Sequence, residues 1–148
     1  MTTKRTIGYQ GVVGAGCGIM TREFILDHSV FTDSTTTGSY EIPDVIPMYA
    51  LRMAVLVETL ETFNEAVTIA VGITAAGNTW TSATTGTCTT IGYKHLFPYG
   101  AATIITGAES TTSGGESVHV TLTHGSDYTL ITSGKVKIKV IYLATQPY

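Results

Sequence analysis

The run Lys135-Val136-Lys137-Ile138-Lys139-Val140-Ile141-Tyr142-Leu143 decides the fold class. Lysines and aliphatic residues alternate through Val140, and a period of two sends successive side chains to opposite sides of an extended backbone. The result is a strand with one face buried and one wet. The lysine row has two readings. On an exposed edge strand it blocks unwanted strand pairing, which is the simpler reading; otherwise it faces an acidic partner.

The same period recurs outward along the chain. Leu51, Met53, Val55 and Val57 point one way, and Arg52, Ala54 and Leu56 the other. Val67, Ile69 and Val71 form a second such row. Val118, Val120 and Leu122 form a third, opposite His119, Thr121 and Thr123. Phe24–Phe31, Ala102–Thr106 and Tyr128–Thr132 read as shorter strands. Thr32–Ser39 reads as a loop, and Pro43 and Pro47 exclude a central strand or a helix over Glu41–Pro47. Phe97-Pro98-Tyr99-Gly100, Ser113-Gly114-Gly115, Gly125-Ser126-Asp127 and Ser133-Gly134 read as turns. Glu58, Glu61 and Glu65, spaced by three and four, predict one helical turn over Glu58–Ala66. Ala75–Thr90, rich in Thr, Ala and Gly around Trp80, is a weak strand or a long loop. Short strands separated by turns predict an all-β chain, a single antiparallel β-sandwich in jelly-roll or related Greek-key order.

The first twenty residues lack either periodicity and hold Gly8, Gly11, Gly14, Gly16 and Gly18. Glycine at this density is costly to order, so residues 1–20 are expected to be an extended arm that becomes fixed only against a partner. Residues 21–148 are expected to be the sandwich. Gly14-Ala15-Gly16-Cys17-Gly18 lacks the spacing and the strand–helix setting of a dinucleotide loop. Lys4 and Arg5 before an uncharged stretch resemble the start of a signal peptide, but the glycines interrupt any apolar helical core.

Composition narrows the function. Charged residues are 13% of the 148, about half the globular average, and much of the remaining polarity is threonine. A surface so poor in charge is weakly protected against association, which points to coverage by partner subunits. The net charge of −3 argues against nucleic-acid binding, which needs clustered Lys and Arg. No apolar run approaches the roughly 18 residues of a membrane span. Cys17 and Cys88 have no zinc-type spacing and are expected to be free thiols in a reducing compartment.

No catalytic, metal or cofactor constellation emerges. His28, His95, His119 and His124 form no HExxH or HxH pair, and the five-residue step from His119 to His124 aims them at opposite faces. Asp33, Asp44 and Asp127 read as turn residues. There is no GxSxG elbow, P-loop or calcium loop. Trp80 and several tyrosines suit either a protein interface or a sugar-binding cleft. The candidate partner-contact residues are Ile7, Tyr9, Val12, Val13, Ile19 and Met20 in the arm, together with Trp80.

Three stretches together resemble tailed-bacteriophage capsid decoration (cement) proteins with a jelly-roll-like sandwich. They are Ile46-Pro47 running on through Met53-Ala54-Val55-Leu56-Val57-Glu58 to Phe63-Asn64; Val67-Thr68-Ile69-Ala70-Val71-Gly72; and Ser133-Gly134 leading into Lys135–Tyr142. The likeness covers roughly residues 40–75 and 115–145. It implies a non-enzymatic virion protein on the capsid exterior, assembled in the host cytoplasm. Its partners would be the major capsid protein and further copies of itself, as a dimer or trimer. A head-fibre or tail component and a carbohydrate-binding module are the alternatives.

Overall fold

Val136, Ile138 and Val140 are fully enclosed, while Lys135, Lys137 and Lys139 remain partly exposed. The computed structural model describes residues 18–47, 50–73, 88, 90–92, 94–98 (backbone) and 116–144. The described strands are β1 (Gly18–Asp27), β2 (Thr32–Ser34), β3 (Thr37–Ile46), β4 (Leu51–Glu61), β5 (Val67–Gly72), β6 (Lys94–Pro98), β7 (Glu116–His124) and β8 (Lys135–Ala144). They form two antiparallel sheets, ordered β1-β8-β4-β6 and β2-β3-β7-β5. The aliphatic rows of β4, β5, β7 and β8 meet between the sheets as one core, closed by Phe31, Phe63, Tyr128 and Tyr142. The expected β-sandwich is the observed fold.

Several local expectations are corrected. β8 lies between β1 and β4 rather than at an edge, so the lysines do not guard an edge. β1 begins at Gly18, which places Ile19 and Met20 inside a strand rather than in the arm. It ends at Asp27, whose side chain accepts from the Ser29 N–H and turns the chain into a 3-10 turn, His28–Val30. Thr32–Ser39 is a hairpin, with Thr32 opposite Ser39 and Ser34 opposite Thr37. β4 continues through Glu58 to Glu61, so the acidic spacing of three does not make a helical turn; pairing with β8 overrides it. Tyr128–Leu130 is a 3-10 turn with Asp127 at its head, and Phe97 and Pro98 end β6. The expectations for residues 1–17, for Ala75–Thr87, for Ala102–Thr106 and for Ser113–Gly115 fall outside the described residues.

Register breaks in β3 and β4 account for what simple alternation misses. In β3 the register breaks between Ile42 and Ile46, and Asp44 takes a positive φ of 53°. Pro43 sits in this break, where its missing N–H interrupts no ladder bond, and Val45 and Ile46 both become fully buried. In β4 the register shifts between Thr59 and Glu61 and, earlier, between Arg52 and Ala54. Met53 is the extra residue, so Leu51 shares the outer face with Leu56, and Arg52 shares the inner face with Val55 and Val57.

The Phe63-Asn64 corner clasps the approach to β8. The Asn64 side chain donates to the Leu130 carbonyl and accepts from the Thr132 and Ser133 N–H groups. The Phe63 ring lies on Gly134, whose φ is +133°, and a Cβ there would overlap the ring. Gly134→Ala therefore combines backbone strain with overpacking, and is expected to lose about 2–4 kcal/mol in urea unfolding. Ser133→Ala, as control, should change stability by less than about 1 kcal/mol.

Candidate assembly surface

Along β8 the outward residues are Lys135, Lys137, Lys139, Ile141 and Leu143, and cross-strand pairing divides the outer face of the first sheet into two halves. In the aliphatic half, Leu143 stands between Ile19 and Leu51, and Ile141 between Thr21 and Ala54. Ile19 is 65% exposed, while Leu51, Met53, Ile141 and Leu143 are half-buried. In the ionic half, each lysine reaches a carboxylate of this same chain. Lys139 meets Glu23 at 2.6 Å, Lys137 meets Glu58 at 2.8 Å and Lys135 meets Glu61 at 3.7 Å. The lysine row is thus neutralised internally, which removes the case for an acidic partner. The hydrogen bond from Lys139 holds the Glu23 carboxyl below its ordinary value, and the bond to Glu58 raises the Lys137 ammonium.

The outer face of the second sheet has another chemistry. Thr37, Thr123 and Thr68 form one cross-strand row; Ser39, Thr121 and Ala70 form the next; Glu41, His119 and Gly72 form the third. The side chains are short, and the ionisable groups in these rows are His119 and Glu41, 3.9 Å apart. Five of the nine residues in these rows carry hydroxyls.

Between the sheets lies a charge pair that the sequence did not announce. The Arg52 Nε donates to Glu116 Oε1 at 2.7 Å and its terminal nitrogen to Oε2 at 2.5 Å, both residues being buried. The β4 bulge turns Arg52 inward, and Glu116 pairs with Ile46 just past the β3 bulge. Read as alternation alone, Arg52 faces water; its partner lies 64 residues away, so no local pattern joins them. A second arginine, Arg22 of β1, donates to the Asp44 and Val45 carbonyls of the β3 bulge at 3.1 and 3.3 Å. Both arginines satisfy groups that the bulges create.

Of the candidate contact residues, Ile19 and Met20 are exposed on β1; Ile7, Tyr9, Val12, Val13 and Trp80 lie outside the described residues, as does Cys17. Burial pushes the Cys88 thiol up to about 11, against a lowering hydrogen bond with Thr59, so it is a protonated core residue and a poor nucleophile. His124 accepts from the Ser126 and Asp127 N–H groups and shapes a turn. Among the described residues no cluster of three or more His, Cys, Asp or Glu is placed to hold a metal, and no helix is long and apolar enough to cross a membrane.

No family model and no curated protein matches this sequence. In fold, the chain is similar to a chain in the solved structure of the cyanophage Pam1 capsid asymmetric unit. The TM-score is 0.60, with 16% identity over 98% of each chain. At that identity the likeness is one of fold.

Removing one member of the Arg52–Glu116 pair strands a buried charge. Arg52→Met or Glu116→Leu alone is expected to lose about 3–5 kcal/mol, whereas the double variant recovers most of the loss. Urea unfolding of all four proteins measures the coupling; additive losses would reject it. Acid acts on a different set. Asp27 and Asp127 are held below their ordinary 3.8 by hydrogen bonds from Ser29 and Thr129, and Glu23 below its 4.5 by Lys139. A depressed carboxyl stabilises the fold above its unfolded value and loses that contribution as pH falls through the folded one. Melting temperature should therefore decline below about pH 4, with a shallower decline in Asp127→Asn.

Proposed function

We propose that this chain is a virion structural protein. More narrowly, it is a decoration protein that binds the capsid exterior at junctions between major capsid protein subunits, as a homo-oligomer and without catalysis. The observation that carries the proposal is the end-to-end fold likeness to a chain of a cyanophage capsid asymmetric unit. The strand order supports it: apart from the β2–β3 hairpin, successive described strands alternate between the sheets, with β1-β8-β4-β6 facing β2-β3-β7-β5, as in a jelly roll. Two weakly charged outer faces, one aliphatic over half its width and one covered with hydroxyls, suit burial against neighbours better than isolation in water.

On this reading the work is mechanical. A protein that binds only the assembled lattice stabilises it by mass action, by about 2.7 kcal/mol per site at a hundredfold excess over Kd. Oligomers that engage several junctions at once multiply weak contacts through effective concentration. The protein would be made in the host cytoplasm and join shells there.

The test mixes purified chain with shells of the same phage that lack it. Saturable co-sedimentation at a copy number comparable to that of the shell subunit, with a raised shell-disruption temperature, is the expected result. Absence of binding, or a handful of copies per virion as a tail or fibre component would show, rejects the decoration role.

A further inference from the structure

Among the described strands four end the sheets, and three of them are poor templates for pairing. β2 spans three residues, β6 spans five and stops at Pro98, and the first carbonyl of the six-residue β5 is taken by the Cys88 N–H. β1 differs. Its ten residues pair with β8 without a register shift, and it contains no proline. It also carries three of the six exposed large apolar residues among the described ones: Ile19, Met20 and Ile25. Proteins ordinarily blunt such an edge with lysine, proline, a bulge or short length. Arg22, the one basic residue in β1, is turned toward the β3 carbonyls instead.

We infer that the outer edge of β1 is an interface closed by β1 of a second copy, the two strands antiparallel about a twofold axis at Arg22. A twofold axis between antiparallel strands stands perpendicular to the sheet, so residues of the same face meet. Few registers satisfy this. An axis at Glu23 sets two glutamates against each other, and one at Thr21 sets Ile19 against Glu23. The axis at Arg22 sets Ile19 against Ile25 on the outer face and Met20 against Phe24 on the inner face, each twice. Thr21 meets Glu23, whose charge Lys139 already answers. Each Arg22 guanidinium stays bound to its own chain and lies 5.9 Å from its own Phe24 ring centroid. The row Leu51, Leu143 and Ile19 of each copy is then extended by one residue, Ile25 of the other copy, and the two four-stranded sheets become one of eight strands.

The inference does not depend on a capsid, because it is measured without one. Sedimentation of the purified full chain at micromolar concentration is expected to show a dimer. Ile19→Lys with Ile25→Lys places cations opposite each other and is expected to raise the dissociation constant about tenfold or more without altering circular dichroism. In a Cys17→Ser background, Thr21→Cys protein mixed with Glu23→Cys protein should form a disulfide-linked dimer under mild oxidation, while neither alone does so. A monomer at every concentration overturns the inference. So does a dimer unmoved by the lysine pair, a Thr21→Cys self-crosslink, or a dimer that appears only after deletion of residues 1–17, which would show the edge held by the chain's own N-terminus.

Discussion

The two-residue period of β8 is the constraint on which the rest depends. β8 lies inside its sheet, and its inner side chains Val136, Ile138 and Val140 are fully enclosed. A slip of one residue would place Lys135, Lys137 and Lys139 in the core and Val136, Ile138 and Val140 in water. Each buried aliphatic is worth about 1.5–3 kcal/mol, and each unpaired buried charge costs more than that. The register of β8 is therefore fixed by its own sequence, and β1 and β4 inherit theirs from it. The inheritance is visible in the carboxylates. Glu23, Glu58 and Glu61 stand where the lysines need them, and one of them sits beyond a bulge that restores the match.

The bulges then adapt a regular lattice to a closed sandwich. An extra residue in β4 brings Arg52 inside, and the break in β3 buries Val45 and Ile46 consecutively while freeing two carbonyls. Arg52 takes Glu116 and Arg22 takes the carbonyls, so two guanidiniums, one from each side of β8, bind the second sheet near the same end. A buried ion pair is weak evidence of net stability, since an apolar replacement of similar volume often does as well. What the Arg52–Glu116 pair contributes is discrimination: any register that moves one partner leaves the other charged and dry. Together with the Phe63-Asn64 corner on Gly134, it sets how β4 and β7 meet.

Much of this architecture was legible. Val118–Leu122, Val67–Val71 and Lys135–Val140 declare their strands because each has one buried face, and period two follows directly from that. The Phe63-Asn64 corner was visible as a motif, though its purpose was not. What failed did so for physical reasons. Glu58–Glu65 has helical spacing, but Glu58 and Glu61 gain more from cross-strand lysines than from one isolated turn, which nucleates poorly. β4 was read through Met53 as an unbroken alternation, and an inserted residue leaves no mark in the pattern it shifts. Tyr128–Thr132 looked like a strand because Asp127, which captures the Thr129 N–H and hydroxyl, reads equally as the end of a turn. Ile19 and Met20, expected as contact residues in the arm, lie exposed on β1 instead. The aliphatic half formed with Leu51, Ile141 and Leu143 required the bulge.

The low charge of the chain acquires a physical meaning from these placements. In the sequence, the row Lys135, Lys137 and Lys139 left an acidic partner as the second reading. In the fold each is neutralised by a glutamate of the same chain, one of which is otherwise close to burial. The lysine row of β8 thus projects little field although it holds three of the eight basic residues, and the second sheet presents mostly hydroxyls. Electrostatic steering chiefly raises association rates and rejects wrong partners. A surface that forgoes it must bind through fitted area and through repetition of contacts. Repetition is what a lattice of identical subunits offers and what a freely diffusing single ligand does not. A low-field sandwich in which β1 is, among the described strands, the one long regular edge is therefore better matched to symmetric, many-copy assembly than to capture of a scarce charged molecule.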